Sequence, residues 1–333
     1  MPHLSTPNRR LFLALTGSGA ALALGGLPAR AQPRVAPSGE ASLSGLVSAG
    51  APIRTIYTGG QWCEGPVWLP ERGALVFSDV RANRMMIVVP GEEAETFREP
   101  SDNANGSILD AAGRLVTCEH RTRRVVREEA DGTIVPIAEA YEGRPLNSPN
   151  DAALAPDGAV WFTDPIFGIT VPDEGIQAEP EQSANGVYRI DPQDGSLARM
   201  IDSISQPNGI VFSADGRTLY VAEAAGALDE SRPGEIIAFP MDEDGRRGEG
   251  RIFATIEEGI PDGLAMDESG NLYAGCFDGA RIYAPDGTLR GRIATEDTCV
   301  NLTFGGPDHR TLFFTEGHSV HAVDMEVAGH RWA

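Results

Sequence analysis

Six oxygen-bearing side chains occupy corresponding places in a repeated pattern of this sequence. Each opens a short apolar segment, and the set consists of two carboxylates and four amides: Glu64, Asn105, Asn150, Asn208, Asp262 and Asn301. Carboxylate and amide oxygens are the ligands that hard divalent cations such as Ca²⁺, Mg²⁺ and Mn²⁺ prefer, whereas Zn²⁺ more often recruits nitrogen or sulfur. Two carboxylates would balance the charge of one divalent cation. If the six side chains converge, they predict a metal site.

The elements that would bring these side chains together are short strands in six similar units. Each unit begins with one of the six residues and an apolar run, passes through an Asp-Gly or similar turn, and returns in a second apolar run. Such turns favour hairpins, because Asp and Gly tolerate the positive φ that they need. The units recur about every 40 to 58 residues, a period typical of four-stranded propeller blades.

We therefore predict an all-β fold, a six-bladed β-propeller with four-stranded blades around a central channel. A β-sandwich gives no reason to repeat a polar residue at each strand start, and a β-helix has a much shorter period. Residues 51–58 are predicted to form a strand that joins the last blade and closes the ring, removing an open edge. The first strand of each blade lines the channel, so the six polar side chains would lie at one height around its axis.

A purely structural role is the alternative for each of these residues. Asn-Gly and Asp-Gly pairs often serve only a backbone turn, and Asn105 and Asn301 are the two most easily explained in this way. Glu64 fits that explanation worst, since Glu is a poor turn residue and Pro66 follows closely. The occurrence of all six in register favours convergence.

Acids close five of the six second strands, namely Asp79, Glu119, Asp164, Glu223 and Glu316. Because they recur in most blades, we interpret them as acceptors of a repeated backbone hydrogen bond, although Glu119 or Asp164 could also lie near a metal. His120 breaks this pattern and is a candidate substrate contact or general acid/base, with a hydrogen-bonded structural role as the alternative. The histidines of the last blade are expected to be surface or turn residues: His309, His318, His321 and His330.

The four cysteines form no C-x-x-C pair and therefore predict neither a zinc site nor a dense disulfide scaffold. Cys63 and Cys299 belong to the first and last blades, which are neighbours in a closed ring, so they are the one disulfide pairing that the fold motivates. Cys118 and Cys276 are expected to be free buried thiols.

The first 31 residues read as a signal peptide of the twin-arginine type. Arg9 and Arg10 precede an apolar run rich in Ala, Gly and Leu, and Ala29-Arg30-Ala31 offers a cleavage site. An uncleaved N-terminal anchor is the alternative. The predicted organisation is a signal peptide at 1–31, a linker at 32–50 and a catalytic propeller at 51–333, with a periplasmic or secreted location.

The chain is strongly acidic, with a formal net charge of -21. Such a surface repels phosphate backbones and anionic lipid. We therefore expect no nucleic-acid partner, and no membrane partner once the signal is removed. The oligomeric state is left open.

An ordered set of motifs resembles the family of gluconolactonases, regucalcin and luciferin-regenerating enzymes, and the bacterial gluconolactonases above all. The resemblance spans residues from about 50 to 325 and rests on these segments: Glu64-Gly65-Pro66-Val67-Trp68, Cys118-Glu119-His120, Asn147-Ser148-Pro149-Asn150-Asp151, Phe162-Thr163-Asp164-Pro165, Gln206-Pro207-Asn208-Gly209 and Pro261-Asp262-Gly263-Leu264. The segment Cys276-Phe277 departs from the Gly-rich stretch expected there, which affects the predicted substrate pocket more than the metal site.

The resemblance implies a six-bladed propeller with one catalytic divalent metal in its channel. It implies that Glu64, Asn208 and Asp262 are metal ligands, and that Asp262 is also the catalytic acid/base. Asn150 matches a position that binds metal or substrate. With Asn150, residues His120 and Asn105 complete the candidate substrate-binding set.

The function expected is metal-dependent hydrolysis of a lactone, with a sugar lactone such as gluconolactone as first candidate and Ca²⁺ as first metal; Zn²⁺, Mg²⁺ and Mn²⁺ are alternatives. Phosphotriester hydrolysis on the same metal is a rival, and so is a non-enzymatic propeller that binds a partner through its rims. A propeller that forms carbon–nitrogen bonds, of the strictosidine-synthase kind, is disfavoured because Glu64 and Asp262 complete a metal set that this chemistry does not need.

Overall fold

The structure is a computed structural model that describes residues 34–36 and 43–332. The predicted signal peptide lies outside this range, together with part of the predicted linker. None of the helices in the described part of the chain is long and apolar enough to cross a membrane.

Short antiparallel strands make up nearly all of the described structure. Two strands precede the first blade, β1 (Arg34–Ala36) and β2 (Arg54–Thr58). Blade one contains β3 (Cys63–Leu69), β4 (Ala74–Asp79), β5 (Arg84–Val88) and β6 (Glu95–Arg98). Blade two contains β7 (Ala104–Leu109), β8 (Leu115–Glu119), β9 (Arg124–Glu128) and β10 (Ile134–Ala138), and a small hairpin follows it, β11 (Ala140–Tyr141) with β12 (Arg144–Pro145).

The second half of the chain repeats this order. Blade three contains β13 (Ala152–Leu154), β14 (Val160–Asp164), β15 (Gly186–Ile190) and β16 (Leu197–Ile201), with the short helix α1 (Phe167–Thr170) between its second and third strands. Blade four contains β17 (Pro207–Phe212), β18 (Thr218–Glu223), β19 (Gly234–Pro240) and β20 (Arg251–Ile256). Blade five contains β21 (Pro261–Met266), β22 (Leu272–Cys276), β23 (Gly279–Tyr283) and β24 (Leu289–Ala294), and blade six contains β25 (Cys299–Gly305), β26 (Thr311–Glu316) and β27 (Ser319–Asp324). Two short 3-10 turns, Val80–Ala82 and Ala225–Ala227, follow β4 and β18.

The six blades form a closed ring, which confirms the predicted fold. The first strand of each blade contacts the first strands of the blades on either side, and β25 contacts β3. The N-terminal strand β2 pairs antiparallel with β27 and supplies the fourth strand of blade six. The expectation that residues 51–58 close the ring is therefore confirmed. Arg54 reinforces this closure through two hydrogen bonds of 2.7 Å to the carboxylate of Asp324.

Alternation along the middle strands explains why the blades stack. In β4, Leu75 and Phe77 join the apolar cluster shared with blade six, whereas Val76 between them joins the cluster shared with blade two. In β14, Trp161 packs towards blade four while Phe162 packs towards blade two. A strand side chain points to the opposite face from its neighbours. Each blade is therefore apolar on both faces and buries them between the adjacent blades.

Described parts of the segment predicted as a linker pack on the propeller. Strand β1 pairs antiparallel with the outer strand β24 of blade five. Leu43, Leu46 and Val47 are buried in the cluster between blades five and six. The segment therefore contributes to the folded unit.

The structure answers the question that the sequence left open about Cys63 and Cys299. Cys63 and Cys299 are free thiols, and both are buried. Cys118 and Cys276 are also free and buried, as expected. Closing the ring by strand pairing and interblade packing requires no covalent bond between the first and last blades.

Candidate active site

Local irregularities of the inner strands place the polar residues in the channel. The pairing of first and second strands shifts register between Glu64 and Val67, between Pro207 and Ile210, and between Pro261 and Leu264. Comparable shifts lie around Asn105 and Asn301. A β-bulge of this kind bends the strand and redirects a side chain. Five of the six polar residues therefore lie where an inner strand leaves regular pairing, whereas Asn150 lies just before its strand, which pairs regularly from Ala152.

Glycine next to a polar residue allows adjacent inner strands to approach closely. A Cβ on Gly209 would lie 2.1 Å from the carbonyl oxygen of Asp262 in the next blade, and one on Gly106 would lie 2.6 Å from that of Asn150. The backbone N–H of Gly106 donates a 2.7 Å hydrogen bond to the Asn150 carbonyl. Only glycine leaves room for such an approach. The Asn-Gly pairs thus serve ring closure rather than a turn, because neither glycine has positive φ.

All six predicted polar side chains are buried at the start of the inner strands: Glu64, Asn105, Asn150, Asn208, Asp262 and Asn301. Asn301 donates a 2.9 Å hydrogen bond from Nδ2 to Glu64 Oε2, and the same nitrogen lies 3.5 Å from Asp151 Oδ2. Asn208 hydrogen-bonds Asp262. These contacts join blades one, three and six in one group and blades four and five in another, and the charge of Asp262 acts on Glu64 across the channel. His120 adds blade two through its contacts with Asn105 and Asn150. We call this set of side chains the polar ring.

Burial, and for two of them neighbouring negative charge, raises the pKa of the carboxyl groups in the ring. Burial raises the pKa of Glu64 well above its ordinary value, and the charges of Asp262 and Asp151 add to the effect. Burial likewise raises the pKa of Asp262, with further contributions from Asp151 and Glu174. Desolvation raises the pKa of Asp151 to about 7. Removing carboxylates from water is costly unless positive charge compensates.

The donor set fits a hard divalent cation. Asn105 Oδ1 and Asn150 Oδ1 are buried and have no hydrogen-bond partner among the described residues. Buried polar atoms are normally paired, so such oxygens, beside Glu64 and Asp262, are the expected surroundings of an oxygen-seeking ion. No group of three or more His, Cys, Asp or Glu residues suited to a metal occurs within the described ranges. A cation here would therefore depend on amide oxygens as well as carboxylates.

His120 lies beneath a loop and is fully buried. Its Nδ1 is 3.1 Å from the carbonyl oxygen of Glu174, and its Nε2 is 3.3 Å from Asn105 Nδ2 and 3.5 Å from Asn150 Nδ2. Burial lowers the pKa of His120 to about 4. The imidazole is therefore neutral near pH 7.

Residues 165–185, here called the cover loop, fold across this end of the channel. The backbone N–H of Gly168 donates to Ser148 Oγ at 3.1 Å, and Asn103 Nδ2 donates to the Asp173 carbonyl at 3.2 Å. Glu174 accepts a 2.8 Å hydrogen bond from Arg81. An apolar cluster joins the loop to blades four and five: Phe167, Val171, Ala224, Ala227, Ile260 and Phe277.

The acids at the ends of the second strands are structural in three blades. Asp79 accepts backbone hydrogen bonds from Gln61 and Trp62, and Asp164 accepts them from Asn147 and Ser148. Glu223 does the same for the backbone before β17. Each carboxylate thus fixes the segment that leads into an inner strand, as predicted.

The prediction of a backbone hydrogen bond is wrong for the other two acids. Glu119 binds side chains instead, those of Thr122 and Arg124. Glu316 contacts the side chains of Ser319 and His321. His321 is buried in β27, so its predicted surface position is also wrong.

The far ends of the inner strands enclose a cavity of about 780 Å³. Its walls include Trp68, Leu109, Leu154, Phe212 and Phe304. The cavity also reaches Asp151 and Asn301, so it extends to the polar ring. We assign the chemistry to that ring, because the buried acids Glu64 and Asp262 and the unpaired amide oxygens lie there.

Sequence reasoning missed two residues of the site. Asp151 directly follows Asn150, which holds the repeated polar position in blade three. A second oxygen-bearing residue beside that position could have indicated that Asp151 also belongs to the site. Glu174 lies in the cover loop, which carries no periodic pattern, so only the folded structure shows that it approaches Asp262 and His120.

The chain is similar to known proteins along most of its length. The family described as the SMP-30/Gluconolactonase/LRE-like region matches residues 62–318. A gluconolactonase of Zymomonas mobilis is 32% identical over 311 residues, which cover 86% of this chain and 85% of that protein.

Solved structures agree with the fold. A gluconolactonase of Xanthomonas campestris superposes with a TM-score of 0.80 at 36% identity, covering 89% of this chain and 95% of that one. A structure described as a calcium-binding protein, regucalcin, from Agrobacterium tumefaciens superposes with a TM-score of 0.68 at 20% identity, covering 84% of this chain and 98% of that one. At that identity the second likeness concerns the fold alone.

Proposed function

The chain belongs to the SMP-30/gluconolactonase/LRE-like family, and on that premise we propose that it hydrolyses a lactone at the polar ring. A sugar lactone such as gluconolactone is the first substrate to test, because relatives that carry the name gluconolactonase are similar along most of the chain. Lactone hydrolysis makes the chain a hydrolase of carboxylic esters.

The observation that carries the proposal is the combination of buried acids and unpartnered amide oxygens. Glu64 and Asp262 come from different blades, both are buried, and the charge of Asp262 raises the pKa of Glu64. Asn150 Oδ1 adds an acceptor with no partner among the described residues. We propose that Glu64, Asn150, Asn208 and Asp262 hold one divalent cation. Ca²⁺ is the first candidate, since it prefers carboxylate and amide oxygens in flexible geometry.

Hydrolysis of a lactone places negative charge on the carbonyl oxygen and requires a deprotonated water. A bound divalent cation supplies positive charge that polarises the carbonyl and makes a nearby water more acidic. Asp262 is the proposed proton acceptor, since its buried carboxyl has a raised pKa and therefore a greater affinity for a proton. The same group would return the proton to the ring oxygen as the ester bond breaks.

Asn208 limits the freedom of Asp262. Its amide hydrogen-bonds the Asp262 carboxylate and lowers the energy of the ionised form. Holding one oxygen in this way leaves the other free to exchange a proton. Asp262 could therefore remain fixed at the ring and still act as acid and base.

We propose Asn105, His120 and Asn150 as the substrate-binding residues, as expected from the sequence. Asn105 and Asn150 lie at the ring with one amide oxygen each unpaired in the described structure, so either could meet a substrate hydroxyl. His120 is fully buried beneath the cover loop. The cover loop closes the ring on the side of His120, whereas the cavity at the far ends of the inner strands reaches Asp151 and Asn301.

The experiment compares substrates, metal and variants in one series. Purified protein is assayed with gluconolactone and with a phosphotriester, each with and without a chelator, and its metal content is measured. We expect lactone hydrolysis that the chelator abolishes. Faster turnover of the phosphotriester would favour the rival activity, and absence of both activities with no bound metal would favour a binding propeller.

Two substitutions locate the activity. Asp262→Asn should lower kcat at least about 10²-fold, and Glu64→Gln should weaken metal binding. Asp278→Asn is a matched control, because Asp278 lies in the same blade as Asp262 but pairs with Arg281. Full lactonase activity in either ring variant would contradict the proposal. Export through residues 1–31 stays a separate proposal, tested by whether the protein is processed and leaves the cytoplasm.

A further inference from the structure

The environment of His120 fixes the direction of two amides in the ring. We propose that His120 is a positioning residue that orients the side chains of Asn105 and Asn150 so that their oxygens remain available to the cation, while Glu174 sets its tautomer. This inference rests on the proposed metal site. His120 and Glu174 would act on the cation indirectly, through Asn105 and Asn150, and of these two Asn150 is a proposed ligand.

The tautomer follows from the partner of Nδ1. A carbonyl oxygen can only accept a hydrogen bond, and that of Glu174 lies 3.1 Å from His120 Nδ1. Nδ1 must therefore carry the proton, and in a neutral imidazole Nε2 is then an acceptor with one lone pair.

The acceptor at Nε2 decides which way the amides face. Asn105 Nδ2 lies 3.3 Å from it and Asn150 Nδ2 lies 3.5 Å from it. If either amide were reversed, its oxygen would face the lone pair of Nε2 and repel it. Each NH₂ group is thus held at the imidazole, which directs each Oδ1 away from it. Those two oxygens are among the buried acceptors that have no hydrogen-bond partner in the described structure.

Backbone contacts hold the arrangement in place. A Cβ on Gly168 would lie 2.5 Å from His120 Cγ, so the cover loop packs directly against the imidazole. Asn103 Nδ2 holds the Asp173 carbonyl at 3.2 Å, and the Glu174 side chain is paired with Arg81 at 2.8 Å. The loop that covers the site therefore also fixes the proton position of His120.

Both ring nitrogens of His120 are engaged in these contacts, and the side chain is fully buried. This arrangement resembles the hydrogen-bonded structural role that the sequence left open beside a substrate contact and a general acid/base. Partners that orient metal ligands typically contribute about 10- to 100-fold to metal affinity, so a positioning role predicts a measurable effect on binding.

Two substitutions separate the two nitrogens of the ring. The amide of Gln reaches the position of Nε2, so His120→Gln can offer an oxygen acceptor to Asn105 and Asn150. The amide of Asn reaches the position of Nδ1, so His120→Asn retains a donor to Glu174 and loses the acceptor. Calcium binding to each metal-free protein is measured by calorimetry, with melting curves to show that both variants fold.

We expect His120→Gln to bind Ca²⁺ within about threefold of the wild type, and His120→Asn to lose about 10- to 100-fold. Wild-type affinity in a folded His120→Asn variant would overturn the inference. An equal loss in both variants would do so as well, since it would mean that the acceptor at Nε2 does not matter.

A second measurement does not depend on the metal. Long-range proton–nitrogen NMR of the metal-free wild type reports which ring nitrogen of His120 carries hydrogen. The inference requires the Nδ1–H tautomer, and an Nε2–H tautomer overturns it. If the wild type bound no divalent cation while His120 showed the Nδ1–H form, the proposed metal site would fail but the orientation of the amides would stand.

Discussion

The side-chain amide of Asn301 donates a 2.9 Å hydrogen bond to the carboxylate of Glu64, across 237 positions of sequence. The two residues lie in the inner strands of the last and first blades, so the polar ring closes where the propeller itself closes. Asn301 is one of the residues that sequence reasoning explains most easily as structural. Its contact with Glu64 instead makes it a partner of a proposed metal ligand.

Replacing Asn301 tests this contact. Asn301→Ala removes a hydrogen bond that stabilises the ionised form of Glu64, so we expect calcium affinity to fall about tenfold. Calorimetric titration of the metal-free variant measures the change. Thr303→Ala is a suitable control, since Thr303 lies two residues further along the same strand and its hydroxyl bonds only locally. An unchanged affinity in Asn301→Ala would show that Glu64 needs no such partner.

Metal affinity should rise with pH. Burial and the charges of neighbouring acids raise the pKa of both Glu64 and Asp262 in the metal-free protein, whereas an ordinary carboxyl titrates near pH 4. Protons therefore compete with the cation over a range above pH 4, and binding releases protons. Titrations at pH 6 and pH 8, in buffers of different ionisation enthalpy, should show tighter binding and proton release. Equal affinity at both pH values would contradict the shifted pKa values.

The same shifts predict how stability depends on pH in the metal-free protein. A carboxyl whose folded pKa is raised binds more protons in the folded state than in the unfolded state. The free energy of unfolding therefore falls as pH rises through this range. Melting curves of chelated protein between pH 5 and 8 check the sign, and bound metal should reduce the dependence.

The acid at the end of β4 should contribute to stability. Asp79 is fully buried, accepts backbone hydrogen bonds from Gln61 and Trp62, and pairs with Arg84. Asp79→Ala leaves these donors unpaired, which should cost roughly 2 to 4 kcal/mol and lower the melting temperature. Asp131→Ala is the control, because Asp131 caps an exposed turn, and it should have a much smaller effect. Equal melting temperatures for both variants would mean that the acid at a strand end is dispensable.

The fold is predictable from sequence because the patterns that determine each blade are local and recur six times. Alternating apolar runs, Asp-Gly turns and a regular period determine the blades, and the strand at 51–58 is needed only to close the edge of the last one. The sequence leaves open whether Cys63 and Cys299 form a disulfide, because adjacency of two blades does not determine whether two sulfur atoms meet.

The site is predictable only in part. One polar residue per repeat indicates that six side chains share a level of the channel. Asp151 falls outside that pattern although it contacts Asn301, and the position of Glu174 depends on a loop without periodicity. The orientation of the Asn105 and Asn150 amides depends on His120, which lies in the turn directly after β8. Such relations arise from packing between blades, which no single segment encodes.

The free cysteines give a separate test of the fold. All four thiols are buried, and burial raises the pKa of Cys63, Cys118, Cys276 and Cys299 above the ordinary thiol value. A thiol reagent should therefore react slowly with native protein and fully after denaturation, without prior reduction. Loss of reactive thiols in the unreduced, denatured protein, restored by a reducing agent, would instead reveal a disulfide.

The most direct test of the whole account is the recovery of lactonase activity in metal-stripped protein as a divalent cation is added back. Protein freed of metal by a chelator should hydrolyse gluconolactone at least about 10²-fold more slowly. Activity should then return in proportion to bound Ca²⁺, or another divalent cation, and level off at one ion per chain. Full activity in protein shown by elemental analysis to contain no divalent metal would contradict the claim that the polar ring works by holding a cation.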